Sequence, residues 1–248
     1  MAEDLVILRV VTLLLLGAVA ALAVHIVIPN WVRNLLRKRF LAAIRKSGRF
    51  CLTFDDGPEP RVTPALLDLL DEEAVKATFF VSGIKAEKYR NLLVETRRRG
   101  HEIGIHGYRH VHPWYCFPFS GMADLIRGSK AVRKCLGSTR NFLLRPPYGK
   151  LNFVTMNYVL LSRSMPAMWD IDAKDYRPRP DRATVKMVLD RLSQGSVILL
   201  HEIPADSDEA ARDKIELTRT IIRKVKESGR AFATVSEALE DKDSWTQP

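Results

Sequence analysis

The chain has 248 residues, 46% of them hydrophobic, and a formal net charge of +10 at pH 7. This length is enough for one domain with a full core after any membrane segment is set aside. Its three cysteines, Cys51, Cys116 and Cys135, cannot all pair, and none stands in a Cys-x-x-Cys motif. The composition therefore argues against a disulfide framework and a cysteine-rich zinc site, and favours reduced thiols.

An apolar segment near the N-terminus predicts a membrane anchor. Residues 10–28 carry no formal charge, and a further apolar stretch precedes them, so that 5–28 is long enough for one transmembrane helix. A cleaved signal peptide would begin with basic residues and end at a small-residue cleavage site, whereas this chain begins with the acidic pair Glu3 and Asp4. We therefore expect an uncleaved, single-pass anchor.

A basic segment at 29–48 follows the anchor and supplies most of the positive charge. Because the cytoplasmic flanks of membrane spans carry Lys and Arg, this segment predicts that the domain after it faces the cytoplasm. It could also bind anionic lipid headgroups, with Trp31 and Phe40 at the interface, or be a solvated linker with no orienting role. We expect no nucleic-acid partner, because no nucleic-acid-binding motif accompanies the charge. The basic residues are Arg33, Arg37, Lys38, Arg39, Arg45, Lys46 and, just past the segment, Arg49.

Residues 49–242 predict one domain of alternating strands and helices. The first strand, 50–58, is an apolar run that stops at two carboxylates and a Gly-Pro pair, which is typical of a buried strand ending in a tight turn. Strand and helix alternate about seven times, so the expected fold is α/β, a distorted (β/α) barrel of about seven units. The other predicted strands are 77–81, 102–105, 141–144, 167–171, 196–200 and 231–235, and the predicted helices are 63–73, 85–99, 121–136, 151–162, 181–193, 208–228 and 236–240.

Polar side chains follow several of the predicted strands at the point where each strand ends. In a parallel barrel these carboxyl ends share one face, where catalytic groups gather. Scattered surface turns would not place acids, histidines and an arginine at the same point of five different units. The sequence therefore predicts one site built from Asp55, Asp56, His106, Arg145, Asp172 and His201.

The pair His106 and His110 stands four residues apart, a spacing that can put two imidazoles on one side of a turn or loop. With Asp56 they form a set of three ligands for a zinc-like ion, which leaves one position for water and is typical of a catalytic site. The pKa of such a bound water falls toward about 7, and Asp55 can take its proton. His112 is a competing ligand that the spacing leaves open.

Five motifs in order resemble those of the polysaccharide deacetylases, the NodB-homology group also called carbohydrate esterase family 4. They are Thr-Phe-Asp-Asp-Gly-Pro at 53–58, His-Gly-Tyr-Arg-His at 106–110, Arg-Pro-Pro-Tyr-Gly at 145–149, Asp-Ala-Lys-Asp-Tyr at 172–176 and Leu-Leu-His at 199–201. The first motif is highly specific, and the ordered set covers residues 50 to about 240. Two departures affect the substrate subtype: Gly107 replaces a hydroxyl residue, and Tyr176 replaces a tryptophan.

The resemblance implies hydrolysis of the acetamide of an N-acetylated amino sugar, which gives the free amine and acetate. It implies a divalent metal, Zn first and Co, Mn or Ni as alternatives. The resemblance implies Asp55 as general base, oriented by Arg145, and Asp56, His106 and His110 as metal ligands. It implies that His201 protonates the leaving amine, with Asp175 raising its basicity and the ring of Tyr176 packing beside it. It also implies that the backbone N–H of Tyr148, beside Pro147, binds the oxyanion.

Anchor and charge together favour a lipid-linked or glycolipid precursor as the substrate, so the expected partners are that sugar and the membrane lipids. No particular oligomeric state is predicted. The aromatic loop 112–119 is either a sugar-stacking or lipid-contacting rim, or buried packing. The alternatives for function are a deacetylase of an extracytoplasmic cell-wall polysaccharide, an amidohydrolase acting on a non-sugar amide, and an inactive membrane-tethered binding protein.

Overall fold

The structure is a computed structural model and describes residues 2–138, 142–162, 166–176, 182–192, 195–204 and 207–240. Three predictions lie partly outside these residues: the start of the strand at 141, both ends of the helix at 181–193, and the last two residues of the domain, 241–242.

Five parallel strands form the sheet, in the order β3-β2-β1-β5-β4. Strand β1 lies in the centre, because its eight residues are almost all buried and a continuous apolar run suits a strand covered on both faces. The strands are β1 Phe50–Gly57, β2 Thr78–Val81, β3 Glu102–Ile105, β4 Ile171–Asp172 and β5 Ser196–His201.

Isolated bridges close the sheet into the predicted distorted barrel. Leu144 pairs with Ile105 at the end of β3 and also with Pro166, whose segment leads into β4. The predicted strand 141–144 is thus a single bridge in its described part, and 231–235 is likewise reduced to a bridge between Phe232 and Phe50. The strand expected at 167–171 pairs with β5 only at its end, in β4.

Helices surround the sheet at most of the predicted positions. The long helix α9 buries an apolar stripe that includes Leu217, Ile221, Ile222 and Val225, which gives it the amphipathic pattern that its sequence predicts. The helices are α1 Ala2–Leu22, α2 Ile28–Ser47, α3 Thr63–Glu72, α4 Gly83–Lys88, α5 Arg90–Arg98, α6 Pro118–Leu136, α7 Phe153–Leu161, α8 Arg182–Asp190, α9 Asp208–Glu227 and α10 Val235–Glu240, with a π-helical turn at Ala23–Val27 and a 3-10 turn at Pro147–Gly149.

Helix α1 continues through the π-helical turn into α2, so that Glu3–Ser47 is one helix. Its most apolar window has a mean hydropathy of 2.7 and none of it is buried against the domain. Among the described residues it is the one helix that is long and apolar enough to cross a membrane.

Helix α2 packs on the domain with its C-terminal half. Phe40 is only 1% exposed, and Phe40, Leu41 and Ile44 share a core cluster with Cys51 of β1 and Val197 of β5. The expectations that Phe40 lies at the membrane interface, or that this segment is a solvated linker, are therefore wrong. The segment was interpreted from its Lys and Arg residues, and the apolar residues at 40, 41 and 44 were overlooked. Their spacing places them on one face of the helix.

Candidate active site

The two carboxylates of the first motif reach the same site through a bulge in β1. The pairing of β1 with β2 shifts between Asp55 and Gly57, and Asp56 has a φ of 71°. Successive side chains of a regular strand point to opposite faces, and an extra residue in one strand re-aims its neighbours. The strand thus continues to Gly57, and Asp56 rather than the Gly-Pro pair supplies the change of direction.

Asp55 is held by a buried arginine. The Nη1 of Arg145 donates to Asp55 Oδ1 at 2.7 Å and to Thr53 Oγ1 at 2.9 Å, while its Nε donates to the carbonyl of Ala167 at 3.0 Å. The guanidinium lies 4.0 Å from the centre of the Phe80 ring and the side chain is fully buried. Bonded on these sides, Arg145 fixes the orientation of Asp55.

Asp56, His106 and His110 form a cluster whose candidate ligand atoms all lie within 4.8 Å of one another. His110 Nε2 is 3.4 Å and His106 Nε2 is 3.8 Å from Asp56 Oδ1. Two of the three residues have left-handed backbone, with φ at 71° for Asp56 and 59° for His110. Such backbone is costly for residues other than glycine and concentrates at functional sites, where the surrounding structure enforces it.

The hydrogen bonds of the cluster suit metal ligation. His106 Nδ1 lies 2.8 Å from the carbonyl oxygen of Arg145, so Nδ1 carries the proton and Nε2 presents its lone pair to the cluster. Burial, and then the neighbouring His106, lower the pKa of His110 to about 4, which keeps that imidazole neutral. Burial acts to raise the pKa of Asp56, but His106 and His110 outweigh it and hold this pKa below its usual value. One carboxylate and two imidazoles are the donor set of a catalytic zinc site.

His201 stands on the other side of Asp55, since the two residues are paired across β1 and β5. Its Nδ1 lies 2.8 Å from Asp175 Oδ1, and its backbone N–H donates to Asp175 Oδ2 at 2.8 Å. Burial acts to lower the pKa of His201, but the bond to Asp175 outweighs it, so the pKa lies above its usual value. The ring of Tyr176 packs edge-on against His201 at 5.3 Å between centroids, as the fourth motif predicts.

The third motif forms a short turn beside the cluster of Asp56, His106 and His110. Tyr148 has a φ of 56°, and its ring lies 4.4 Å from that of His110 and 4.5 Å from that of His112. Pro147, which precedes it, is buried. The competing ligand His112 instead stacks on Tyr115, and its Nδ1 accepts the backbone N–H of Trp114.

The chain is similar to known carbohydrate deacetylases. The polysaccharide deacetylase family profile matches residues 44–161. Peptidoglycan-N-acetylmuramic acid deacetylase PdaC of Bacillus subtilis is 31% identical over 191 residues, which cover 77% of this chain and 38% of that protein. Chitooligosaccharide deacetylase of Azorhizobium caulinodans is 32% identical over 166 residues, which cover 64% of this chain and 76% of that protein. The chain belongs to the polysaccharide deacetylase family.

A solved structure agrees with this family assignment. The peptidoglycan N-acetylglucosamine deacetylase Bc1960 superposes with a TM-score of 0.71 at 28% identity, covering 79% of this chain and 90% of that one. The resemblance predicted from the five motifs is thereby confirmed, together with the distorted barrel. The chain spans well under half the length of PdaC.

The sequence did not reveal two buried charged residues of this family member that support the site. Asp124 on α6 accepts the backbone N–H groups of Tyr108 and Arg109, at 2.9 and 2.8 Å, and so fixes the loop between the two histidines. Any side chain at Gly107 would collide with the Asp124 carboxylate, which accounts for the departure in the second motif. Asp124 had no signal of its own in the sequence.

Lys214 on α9 is the second such residue, and here a signal existed. Its Nζ donates to the carbonyl of Asp175 at 2.9 Å and lies 3.5 Å from Asp175 Oδ2. Lys214 lies in the apolar stripe of α9, three residues after Ala211 and three before Leu217. A lysine at that spacing is buried, and a buried charge needs a partner.

Asp172, the first acid of the fourth motif, does not have the position that the sequence predicted for it. Asp172 Oδ1 accepts the backbone N–H of Lys174 at 2.8 Å, which stabilises the turn that delivers Asp175. Asp172 was expected among the strand-end residues of the site, and its contact is with this turn.

Different residues of the aromatic loop 112–119 fit the two interpretations, buried packing and an exposed rim. Trp114 Nε1 donates to the carbonyl of Leu151 at 3.1 Å, which is packing, whereas Tyr115, Phe117 and Phe119 are exposed.

Proposed function

We propose that this chain is a metal-dependent N-deacetylase that hydrolyses the acetamide of an N-acetylated amino sugar. One observation carries the proposal: the six side chains to which we assign the roles of base, ligands, orienting arginine and acid lie together near the carboxyl ends of the parallel strands. They are Asp55, Asp56, His106, His110, Arg145 and His201.

The cluster of Asp56, His106 and His110 would hold the divalent ion, most simply Zn, with Co, Mn or Ni as alternatives. When bound, the ion would lower the pKa of a water molecule and withdraw charge from the acetamide oxygen. The proton on His106 Nδ1 supports this assignment, because its bond to the Arg145 carbonyl leaves Nε2 free for ligation.

The protein's own groups would divide the proton transfers. Asp55, held by Arg145, accepts a proton from the attacking water, and the backbone N–H of Tyr148 donates to the oxygen that becomes negative. Water adds to the carbonyl carbon, the C–N bond then breaks, and His201 donates a proton to the departing amine. Asp175 favours the protonated form of His201 that this step requires. The products are acetate and the free amino sugar.

The test is acetate release from N-acetylated chitooligosaccharide with added zinc. Asp55→Asn and His106→Ala should each lower kcat by about 10²-fold or more, and Asp68→Asn, an exposed carboxylate on α3, is the matched control. Equilibrium metal analysis should show loss of the ion in His110→Ala and retention in His112→Ala. Unchanged acetate release in Asp55→Asn would overturn the proposed mechanism. Absence of a bound divalent ion, together with no acetate release from any acetylated sugar, would instead revive the inactive binding protein.

Substrate and location are finer parts of the same proposal. The helix at 5–28 is proposed to anchor residues 49–242 to a membrane, with the basic residues of 29–48 on the cytoplasmic side. A cytoplasmic domain could reach only a lipid-linked or glycolipid precursor. A C-terminal reporter that is active on one side of the membrane tests this orientation, and an outside signal would contradict it.

A cell-wall polysaccharide is the second candidate substrate. The names of the relatives favour it, since PdaC is named for peptidoglycan. An outside reporter signal together with acetate release from isolated peptidoglycan would support this candidate over the lipid-linked precursor.

A further inference from the structure

Helix α7 is an exposed helix without a charged residue. Its sequence, Phe-Val-Thr-Met-Asn-Tyr-Val-Leu-Leu, buries Thr155, Met156 and Val159 against the domain. The opposite side presents Phe153, Leu160 and Leu161, the last of them 83% exposed. The polar residue on this side is Asn157, and its amide donates to the carbonyl of Phe153 at 2.7 Å within the same helix. A helix at a water-facing surface normally turns polar residues outward, so the outer side of α7 suits a different medium.

The apolar surface continues onto the start of α6. Phe117 is 73% exposed and packs beside Phe119, with 6.2 Å between their ring centroids. An open groove of about 540 Å³ runs between the two helices, lined by Phe119, Met122, Phe153, Tyr158 and Leu161 among others. Exposed apolar patches of this kind mark sites of contact with another molecule or with a membrane. We call Phe117, Phe119, Phe153, Leu160 and Leu161 the α6–α7 face.

The position of α7 relative to the apolar helix indicates what covers this face. Residues 10–28, at about 1.5 Å per residue, extend over about 28 Å, close to the thickness of a hydrocarbon core. Helix α7 contacts the π-helical turn Ala23–Val27, near the end of that stretch, as well as α2. An element that touches the last turns of a membrane span lies at the depth of the bilayer surface.

Two hydrogen bonds fix this arrangement. Asn30 Nδ2 donates to the carbonyl of Leu151 at 2.9 Å, and Arg33 Nη1 donates to the carbonyl of Gly149 at 3.0 Å. Gly149 ends the 3-10 turn that contains Tyr148, and Leu151 lies between that turn and α7. Trp31, on the exposed side of the same helix, stands where interfacial tryptophans are found.

We infer that the α6–α7 face inserts into the hydrocarbon edge of the leaflet in which the anchor helix ends. The inference rests on the proposed membrane anchor and adds a second contact with the bilayer. Because α7 begins just after the Tyr148 turn, this contact would hold the catalytic cluster beside the lipid headgroups. The sugar to be deacetylated would then be reached at headgroup level.

A fluorescent label tests the inference without measuring activity, so its failure differs from failure of the proposed deacetylation. The full chain carries Cys116→Ser to remove the partly exposed thiol, since Cys51 and Cys135 are buried. An environment-sensitive label is then placed at Leu161→Cys or at the matched control Val94→Cys, an exposed aliphatic residue on α5. Both proteins are reconstituted in phosphatidylcholine–phosphatidylglycerol vesicles, with and without lipids that carry a quencher in their acyl chains.

The label at position 161 should show a blue-shifted emission and be quenched several-fold more strongly than the label at position 94. Equal quenching at the two positions would overturn the inference. A blue shift without lipid quenching would point to a second copy of the chain on this face, and a shift only after addition of a polyprenyl-linked acetylated sugar would point to the substrate's tail. Either result also overturns bilayer insertion. Circular dichroism of the labelled proteins verifies their fold.

Discussion

Replacing Asp175 with asparagine tests whether His201 is the acid. The carboxylate accepts two hydrogen bonds from His201, one from the ring and one from the backbone, both at 2.8 Å. Asparagine retains an oxygen for the backbone N–H and fills the same volume. The substitution therefore removes the negative charge beside the imidazole with little change in the shape of the site.

The expected effect is a shift of the pH–activity profile. A hydrogen bond to a charged partner is worth about 1.5–3 kcal/mol, which corresponds to about 1–2 pH units in the pKa of the imidazole. In the native protein the pKa of His201 lies above its usual value, so the protonated acid persists to higher pH. In Asp175→Asn the alkaline limb of kcat should move down by about 1–2 pH units.

The assay is kcat against pH on a water-soluble chitooligosaccharide at saturating zinc. Tyr176→Phe is the matched control, because it keeps the ring that packs on His201 and should leave the limb in place. A uniform loss of activity at every pH, with the alkaline limb unmoved, would show that another group supplies the proton. Circular dichroism verifies folding, since Lys214 loses its buried counter-charge in this variant.

Two further predictions concern stability. Arg145→Met should lower the free energy of unfolding by about 3–5 kcal/mol, because it leaves Asp55 buried without its partner; denaturant unfolding in detergent measures it, and a loss near zero would contradict the pairing. Burial, and then Lys76, lower the pKa of His101 to about 4, so the folded protein favours the neutral ring. The contribution of neutral His101 to the free energy of unfolding should therefore be fully present above about pH 6.5. It should fall by about 3 kcal/mol as the pH drops to 4. His101→Asn, which retains an acceptor for the Ala77 N–H, should flatten that dependence, and an equally steep curve would refute it.

The sequence predicted the residues of the site better than it predicted the backbone geometry that positions them. Residue types at strand ends, such as Asp55 and His201, follow from local pattern, and parallel pairing then brings them together. The bulge at Asp56 depends on the register between two strands far apart in the sequence, so no local pattern encodes it. The burial of Phe40 was missed for a similar reason, since the strands that cover it lie beyond the basic segment.

The connection between the proposed anchor and the site bears on which substrate fits. Over residues 3–47, all of which the structure describes, α1 runs through Ala23–Val27 into α2 as one helix with no flexible linker. Arg33 on α2 donates to the carbonyl of Gly149 beside Tyr148. Arg33 is five residues past Ile28, about 8 Å along the helix, which is comparable to the depth of a headgroup layer. A deacetylase on a long tether could search a thick polymer, whereas this arrangement would fix the catalytic cluster at one height. If the proposed anchor spans a membrane, this geometry suits a sugar that is itself held at the membrane surface, as in the proposed lipid-linked precursor, better than a polymer that extends away from it.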